Sequence, residues 1–273
     1  MAPRKDSFRR KSASRVGKRN SRAPGGWLYG RHAVRAALAN PQRRCRRLLV
    51  TAQADREENR RAAPGTAWRA DHSGVPPEIV SPEEIERYLA PGASHQGVAL
   101  LADPLPEIDL DRACRLDGAT AAASTRLLML DQVTDPRNVG AILRTAAAFG
   151  AKAVIQQTRH APQASGALAK AASGALERVP LVRVTNLARA LQALKAEGYW
   201  CLGLDPQADT VIEGADLDRP VCLVLGAEGP GLRPLVKRAC DELIRLPISD
   251  AVPSLNVSVA AAIVLYESTR RRG

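Results

Sequence analysis

Leu246 to Leu265, LPISDAVPSLNVSVAAAIVL, is the stretch that most limits what this chain can fold into. It opens on a short apolar piece, passes a Pro-containing polar turn, and continues as an uncharged run of small and β-branched residues. A helix crossing a membrane here would have to bury Asp250, Pro253, Asn256 and three serines, which the hydrocarbon interior disfavours. A buried helix of a water-soluble domain fits better, with Ser254 near its N-cap and free N–H groups in its first turn. A capped core helix accounts for the apolar half. It does not account for the polar Ser254-Leu255-Asn256 at its mouth, which points to a ligand site.

The residues before that helix supply it with a sheet. From Arg126 onward, strand-like and helix-like patterns alternate: LLML, the helical NVGAILRTAAAFG ending at Gly150, AVIQ, then QASGALAKAASGAL. VPLVRV follows, then LARALQALKAEG capped by Asn186, YWCLGL, VCLVLG, PLVKRACDE and ELIRLPI. Such alternation predicts an α/β fold with a mostly parallel sheet covered by helices on both faces. Ligands of such sheets sit at the carboxyl ends of the strands.

Charge divides the chain unevenly. The net charge is +12, and residues 1–22 hold nine Arg and Lys against Asp6 alone, so +8 lies there and +4 in the rest. This tail, nearly free of apolar residues, is expected to be disordered and to meet a polyanion through phosphate contacts, which need charge but no sequence order. Aromatic residues are only 3% of the chain, so base stacking is not its main means of holding nucleic acid. The five cysteines form no CxxC pair and the four histidines show no metal spacing. They predict reduced thiols in a cytoplasmic protein, with no metal site. No apolar signal segment follows the basic start.

Four parts are expected: the tail over 1–25, a small α/β domain over 26–104, a Pro- and Ala-rich linker over 105–124 with room for a short helix, and the larger domain over 125–273. In the small domain AVRAALA reads as a helix ended by Pro41, while LLVT and VALLA read as strands. Ser81-Pro82-Glu83-Glu84 reads as a capped helix start. His95, alone before a strand, is expected to be structural. The domain holds no catalytic set and, with its Arg cluster at 43–47, reads as a binding module.

Three blocks at strand ends carry candidate chemistry. In LDQVTDPRNVGAILRTAAAFG, Asn138 opens a helix and Arg144 follows six residues on, expected roughly on the same side, among Ile142, Leu143, Ala146 and Ala147. An arginine there either snorkels to the surface or pairs with an acid or ligand. In VCLVLGAEGPG a buried strand runs into a glycine-rich turn with one carboxylate, Glu228. The turn lacks the Gly-Lys-Ser/Thr of a phosphate-binding loop and the spacing of a dinucleotide fingerprint, so nucleotide hydrolysis and dinucleotide binding are disfavoured. The third block is the segment at Leu246.

Taken together, LDQVTDPRNVGAILRTAAAFGA, LVLGAEGPGLRP and LPISDAVPSLNVSVAAAIVLYE resemble the SpoU (TrmH-like) branch of the SPOUT methyltransferases. The match is closest to the subgroup acting on guanosine of 23S ribosomal RNA, and it extends into YGRHAVRAAL and SHQGVALLADP. The resemblance implies a trefoil-knotted C-terminal domain, a rare exception to unknotted topology. It also implies a ribosomal-protein-like RNA-binding domain before it, S-adenosyl-L-methionine as cofactor, and a homodimer that completes its site across the interface. The cofactor would lie against Leu225, Gly226, Ala227, Gly229, Leu246, Ile248, Leu255 and Asn256. Asn138, Arg144, Glu228, Ser254 and Asn256 would serve the transfer of a methyl group to a ribose 2'-hydroxyl.

Within that resemblance Arg144 is expected to hold the target phosphate and stabilise the developing alkoxide, since a guanidinium keeps its protons. Glu228 and Asn256 are expected to order Arg144 and the knot loops, with Asn138 and Ser254 positioning RNA and cofactor. The chain departs from many relatives at Asp250-Ala251-Val252-Pro253, where they carry Gly-Ser-Val before Ser-Leu-Asn. Three alternatives remain open: the same reaction on transfer RNA, a non-catalytic RNA-binding role in ribosome assembly, and a drug-resistance methyltransferase acting on adenosine.

Overall fold

The computed structural model describes residues 26–61, 68, 74–116, 125–159, 162, 165–249 and 251–270. The basic tail and Asp250 lie outside them, as do parts of the arginine-rich 52–74 stretch and of the expected linker.

The N-terminal half is a four-stranded sheet in the order β1-β4-β2-β3. Its strands are β1 (Gly26–Tyr29), β2 (Cys45–Thr51), β3 (Pro77–Val80) and β4 (Val98–Ala102), joined by α1 (Arg31–Ala39), α2 (Ala52–Arg61) and α3 (Pro82–Glu86). Ser81 caps α3 by accepting from the Glu84 N–H, and Pro82 supplies the fixed φ of a first helical residue. His95 accepts the Gly97 N–H through its Nδ1 at 3.1 Å. Strands β1 and β3 escaped the sequence reading because each is only four residues long and neither shows an uninterrupted buried run. Helix α2 was hidden by its charge: only Ala54 and Glu58 of its ten residues are buried.

A short helix, α4 (Leu110–Cys114), follows, with Asp109 as its N-cap. The C-terminal half is a seven-stranded sheet in the order β7-β6-β5-β10-β8-β11-β9, parallel at every pairing. Its strands are β5 (Arg126–Asp131), β6 (Ala153–Gln157), β7 (Leu181–Val184), β8 (Trp200–Leu204), β9 (Thr210–Val211), β10 (Val221–Gly226) and β11 (Glu242–Arg245). Strands β5 and β10 read as continuous apolar runs because helices cover both faces.

One face packs α5 (Pro136–Ala148), α6 (Gly166–Ala172) and α9 (Val257–Arg270); the other packs α4, α7 (Leu187–Ala196) and α8 (Pro234–Ala239). The long pattern QASGALAKAASGAL is broken where Ser173 and Gly174 take positive φ, leaving a seven-residue helix and a 3-10 turn. At the far end of β5 the buried Arg126 guanidinium donates to the carbonyls of Leu217 and Ser268, tying the last helix to the sheet.

The two sheets belong to one packed body. Gly166, the first residue of α6, lies so close to β1 that a Cβ there would meet the Trp27 carbonyl oxygen at 2.4 Å and the Tyr29 ring at 2.5 Å. Among the described residues no helix is long and apolar enough to cross a membrane, and none forms a His/Cys/Asp/Glu cluster fit for a metal ion.

Candidate active site at the carboxyl edge of the sheet

Because every strand of the large sheet runs the same way, the ends of β5, β10, β8 and β11 open on one edge. A cleft of about 870 Å³ lies there, between the turns that leave β8, β10 and β11 and the approach to α9. Leu225, Gly226, Ala227, Glu228, Gly229, Leu246, Ile248, Ser254 and Leu255 all line it, which brings two of the three sequence blocks, the second and the third, into one concavity. The turn after β10 is drawn tight. The Gly231 N–H donates to the Ala227 carbonyl at 3.0 Å, and a Cβ on Gly226 would stand 2.2 Å from the Gly231 carbonyl carbon. Only glycine fits at 226.

Beside the cleft, three side chains close a ring of hydrogen bonds. The Asn138 amide donates to Glu228 Oε1 at 3.0 Å, and the Asn256 amide donates to the same oxygen at 2.7 Å and to Asn138 Oδ1 at 3.1 Å. Asn256 has a second task, its Oδ1 accepting from the Ser258 N–H at 2.9 Å. Asn256 is therefore the residue capping α9, whose helical residues begin at Val257. Ser254, expected near the cap, lies further out and faces the cleft. The polar interruption of the apolar segment thus joins a helix start to a carboxylate. Asn256, expected also at the cofactor, is not among the described residues lining the cleft and reaches it through Glu228.

Arg144 is not part of this ring. Its side chain is exposed and, among the described residues, makes neither a hydrogen bond nor an ion pair. The expected pairing of Asn138 and Arg144 on one side of the helix fails on simple geometry. Six residues at about 100° each leave the two side chains about 120° apart. The expected ordering of Arg144 by Glu228 and Asn256 is likewise not seen within one chain; those residues order Asn138 instead.

The turn after β8 lies outside the three blocks, yet Leu204, Asp205, Pro206 and Gln207 line the cleft there together with Lys237. The rule that ligands gather at strand ends would have found Asp205, which directly follows WCLGL. Burial works against its charge, but the Lys237 ammonium and the Gln207 N–H outweigh it and hold its carboxyl below the usual range.

A carboxylate held by two amides thus stands beside a cleft at the carboxyl edge of a parallel sheet, where ligands of such sheets sit. Residues 125–266 match the SpoU rRNA methylase family, and residues 27–108 match the RNA 2'-O ribose methyltransferase substrate-binding family. The chain belongs to the SpoU rRNA methylase family. The 23S rRNA (guanosine-2'-O-)-methyltransferase RlmB of Photobacterium profundum is 41% identical over 248 residues, covering 90% of this chain and 97% of that protein. RlmB of Escherichia coli is 38% identical over 249 residues, with 90% and 98% covered. An uncharacterized tRNA/rRNA methyltransferase of Synechocystis is 39% identical over 251 residues, and this chain spans 62% of its length. Among solved structures, the SpoU methyltransferase AviRb of Streptomyces viridochromogenes, in complex with AdoMet, superposes with a TM-score of 0.72 at 24% identity over 94% of both chains. At that identity the likeness is one of fold.

Proposed function

We propose that this protein transfers a methyl group from S-adenosyl-L-methionine to a ribose 2'-hydroxyl of RNA, at a guanosine of 23S ribosomal RNA. The observation that carries the reading is the Asn138–Glu228–Asn256 ring at the mouth of the cleft, in a chain about 40% identical to RlmB proteins over nearly their whole length.

The cleft suits the cofactor by its chemistry. Its volume falls in the usual range for ligand pockets, about 300–1,000 Å³. Leu225, Leu246, Ile248 and Leu255 supply apolar walls, the tight turn at Gly226, Ala227 and Gly229 supplies backbone polar groups, and Glu228 supplies a negative charge suited to a cationic ligand. When bound, the cofactor supplies an activated methyl group on a sulfonium, a good leaving group. The protein's own task is then alignment and handling of one proton.

Glu228, its Oε1 fixed by two amide donors, holds the loop and the helix start in register. Asn138 and Ser254 position RNA and cofactor at the junction. Arg144 draws in the target phosphate and stabilises the alkoxide as it forms. Proton removal falls to a phosphate oxygen or a water. The small domain over 26–104 grips the RNA and the domain over 125–273 transfers the methyl group.

Two copies of the chain act together in this reading. Val259, Ile263 and Tyr266 are 46%, 40% and 52% exposed on α9, at the spacing of one helix face. Tyr266 also meets Phe149 beyond the end of α5, ring centroids 6.2 Å apart, so the apolar stripe runs onto the helix that carries Arg144. Joining two such faces would let the second copy bring Arg144 to the cluster of the first. The threaded C-terminal crossing implied by the resemblance is part of the same proposal, in keeping with the position of β10 between β5 and β8.

The test offers labelled S-adenosyl-L-methionine with unmodified 23S ribosomal RNA and unmodified transfer RNA side by side, and locates the methyl group by mass spectrometry. A 2'-O-methylguanosine in the ribosomal RNA alone upholds the proposal. Label in transfer RNA keeps the chemistry and overturns the substrate; label in neither, without cofactor binding, overturns both. Ile263→Glu should yield monomers in sedimentation and lose transfer together with dimerisation.

A further inference from the structure

Asp131 ends β5 with its side chain wholly buried, and its two oxygens are taken by one residue. The Arg233 backbone N–H donates to Oδ2 at 2.9 Å and the Arg233 Nε to Oδ1 at 2.7 Å. The same guanidinium donates through Nη2 to Gln157 Oε1, at the end of β6, at 2.8 Å. Arg233 therefore clamps the carboxyl ends of two neighbouring strands.

What it holds is the turn that carries Glu228. That turn leaves β10 at Gly226 and ends at Arg233, just before α8. It is pinched at its start by the Gly226–Gly231 contact and the Ala227–Gly231 hydrogen bond. Its far end has Arg233 on Asp131. Asp131 is also the residue from which the chain sets out toward α5 and Asn138. The two limbs whose side chains meet as Asn138 and Glu228 are thus fastened at one buried carboxylate.

We infer that Asp131 and Arg233 are positioning residues for the reaction, setting where Glu228 stands against Asn138 and the cleft. The inference rests on the proposed methyl transfer for its consequence in rate, but not for the anchoring itself. Arg233 touches the chemistry only through the turn. Its planar fork is needed because two side-chain donors, Nε and Nη2, must reach two strands at once, a geometry a lysine ammonium does not reproduce. A misplacement of about 1 Å in such a site costs about 10²-fold in rate.

The experiment compares wild type, Arg233→Ala, Arg233→Lys and Asp131→Asn, each also in a Glu228→Gln background, by single-turnover methyl transfer at saturating cofactor. Hydrogen–deuterium exchange of the 226–233 peptide is followed in parallel. Arg233→Ala leaves only a partly exposed side chain missing, so it tests the idea even if Asp131→Asn folds poorly. The expected result is a loss of about 10²-fold for Arg233→Ala, a similar loss for Arg233→Lys, and faster exchange across 227–232. Once Glu228 is already Gln, neither should cause further loss. Unchanged exchange, or losses that multiply in the double variants, would overturn the inference. If wild type transfers no methyl group while exchange still rises in Arg233→Ala, the anchoring stands and the proposed reaction falls.

Discussion

Arg43 and Glu177 join the two halves of the molecule through an ion pair in which each side chain is only 4% exposed. Arg43 Nε donates to Glu177 Oε2 at 3.1 Å, the Asn40 amide donates to the same oxygen at 2.8 Å, and Arg43 Nη1 reaches the Asp103 carbonyl at 2.8 Å. Removing one member of such a pair strands the other charge in a dry environment, at a cost of about 3–5 kcal/mol. Glu177→Ala and Arg43→Ala are each expected to destabilise the protein on that scale in urea unfolding. Replacing both with Leu and Met should cost far less than the two single losses together. If the single variants unfold like wild type, the two halves are not held by this pair.

The larger sheet was legible because its strands are buried on both faces, so VCLVLG and LLML stand out without any alternation to interpret. The cap at Asn186 and the stop at Gly150 were legible for equally local reasons, a side chain accepting from the Arg189 N–H and a glycine at φ +67°. What failed was longer in range or masked by polarity. Asn256 rather than Ser254 caps the last helix because Asn256 is also pulled by Glu228, a residue 28 positions away. Of the five residues expected to serve catalysis, the local blocks named three that meet, but nothing in them shows that Arg144 stands apart. The Asp131–Arg233 clamp was invisible for the same reason: 102 residues separate its partners.

Asn256 offers a test of the ring with a definite pH dependence. Asn256→Asp keeps an oxygen to cap the helix but removes the amide donor and sets a second carboxylate against Glu228 Oε1, where the amide nitrogen stood at 2.7 Å. Two carboxylates at that separation cannot both ionise freely, so one takes up a proton at higher pH than an isolated acid would. Once protonated, it can donate as the amide did. Transfer by Asn256→Asp should fall about 10²-fold near pH 8 and recover relative to wild type as the pH is lowered toward 5. Asn256→Ala should fall without such recovery and lose about 1 kcal/mol of stability with its cap. A pH profile for Asn256→Asp parallel to that of Asn256→Ala would show that the ring does not work through its donors.

Arg144 predicts the opposite pattern, a large loss of function at no cost in stability. Its side chain is exposed and partnerless among the described residues, so Arg144→Ala should change unfolding free energy by less than about 0.5 kcal/mol. Methyl transfer should nevertheless fall about 10²-fold or more, and the slope of log affinity for RNA against log salt should flatten by about one unit. Arg144→Lys should restore most of the salt slope but little of the rate, because an ammonium supplies charge without the guanidinium fork. Near-wild-type turnover in Arg144→Ala would remove it from the mechanism.

The buried thiols give the chain a ceiling in pH. Burial pushes Cys114 and Cys240 each up to about 12, and Cys222 is raised by a hydrogen bond with Cys201, its register partner on β8, and by burial. A raised folded value means that the folded state keeps its protons where the unfolded chain has released them. The stability these thiols contribute is therefore complete below about pH 8.5 and is lost progressively as pH rises toward 12. Melting temperature should fall across that window, and Cys114→Ala should make the fall less steep. At pH 8 iodoacetamide should modify the native protein slowly, since a thiol reacts only as its thiolate, with the half-buried Cys45 reacting before the buried Cys114, Cys201 and Cys222. In denaturant all five should react together. Rapid labelling of Cys114 in the native protein would mean that α4 and the sheet beneath it open far more often than their packing implies.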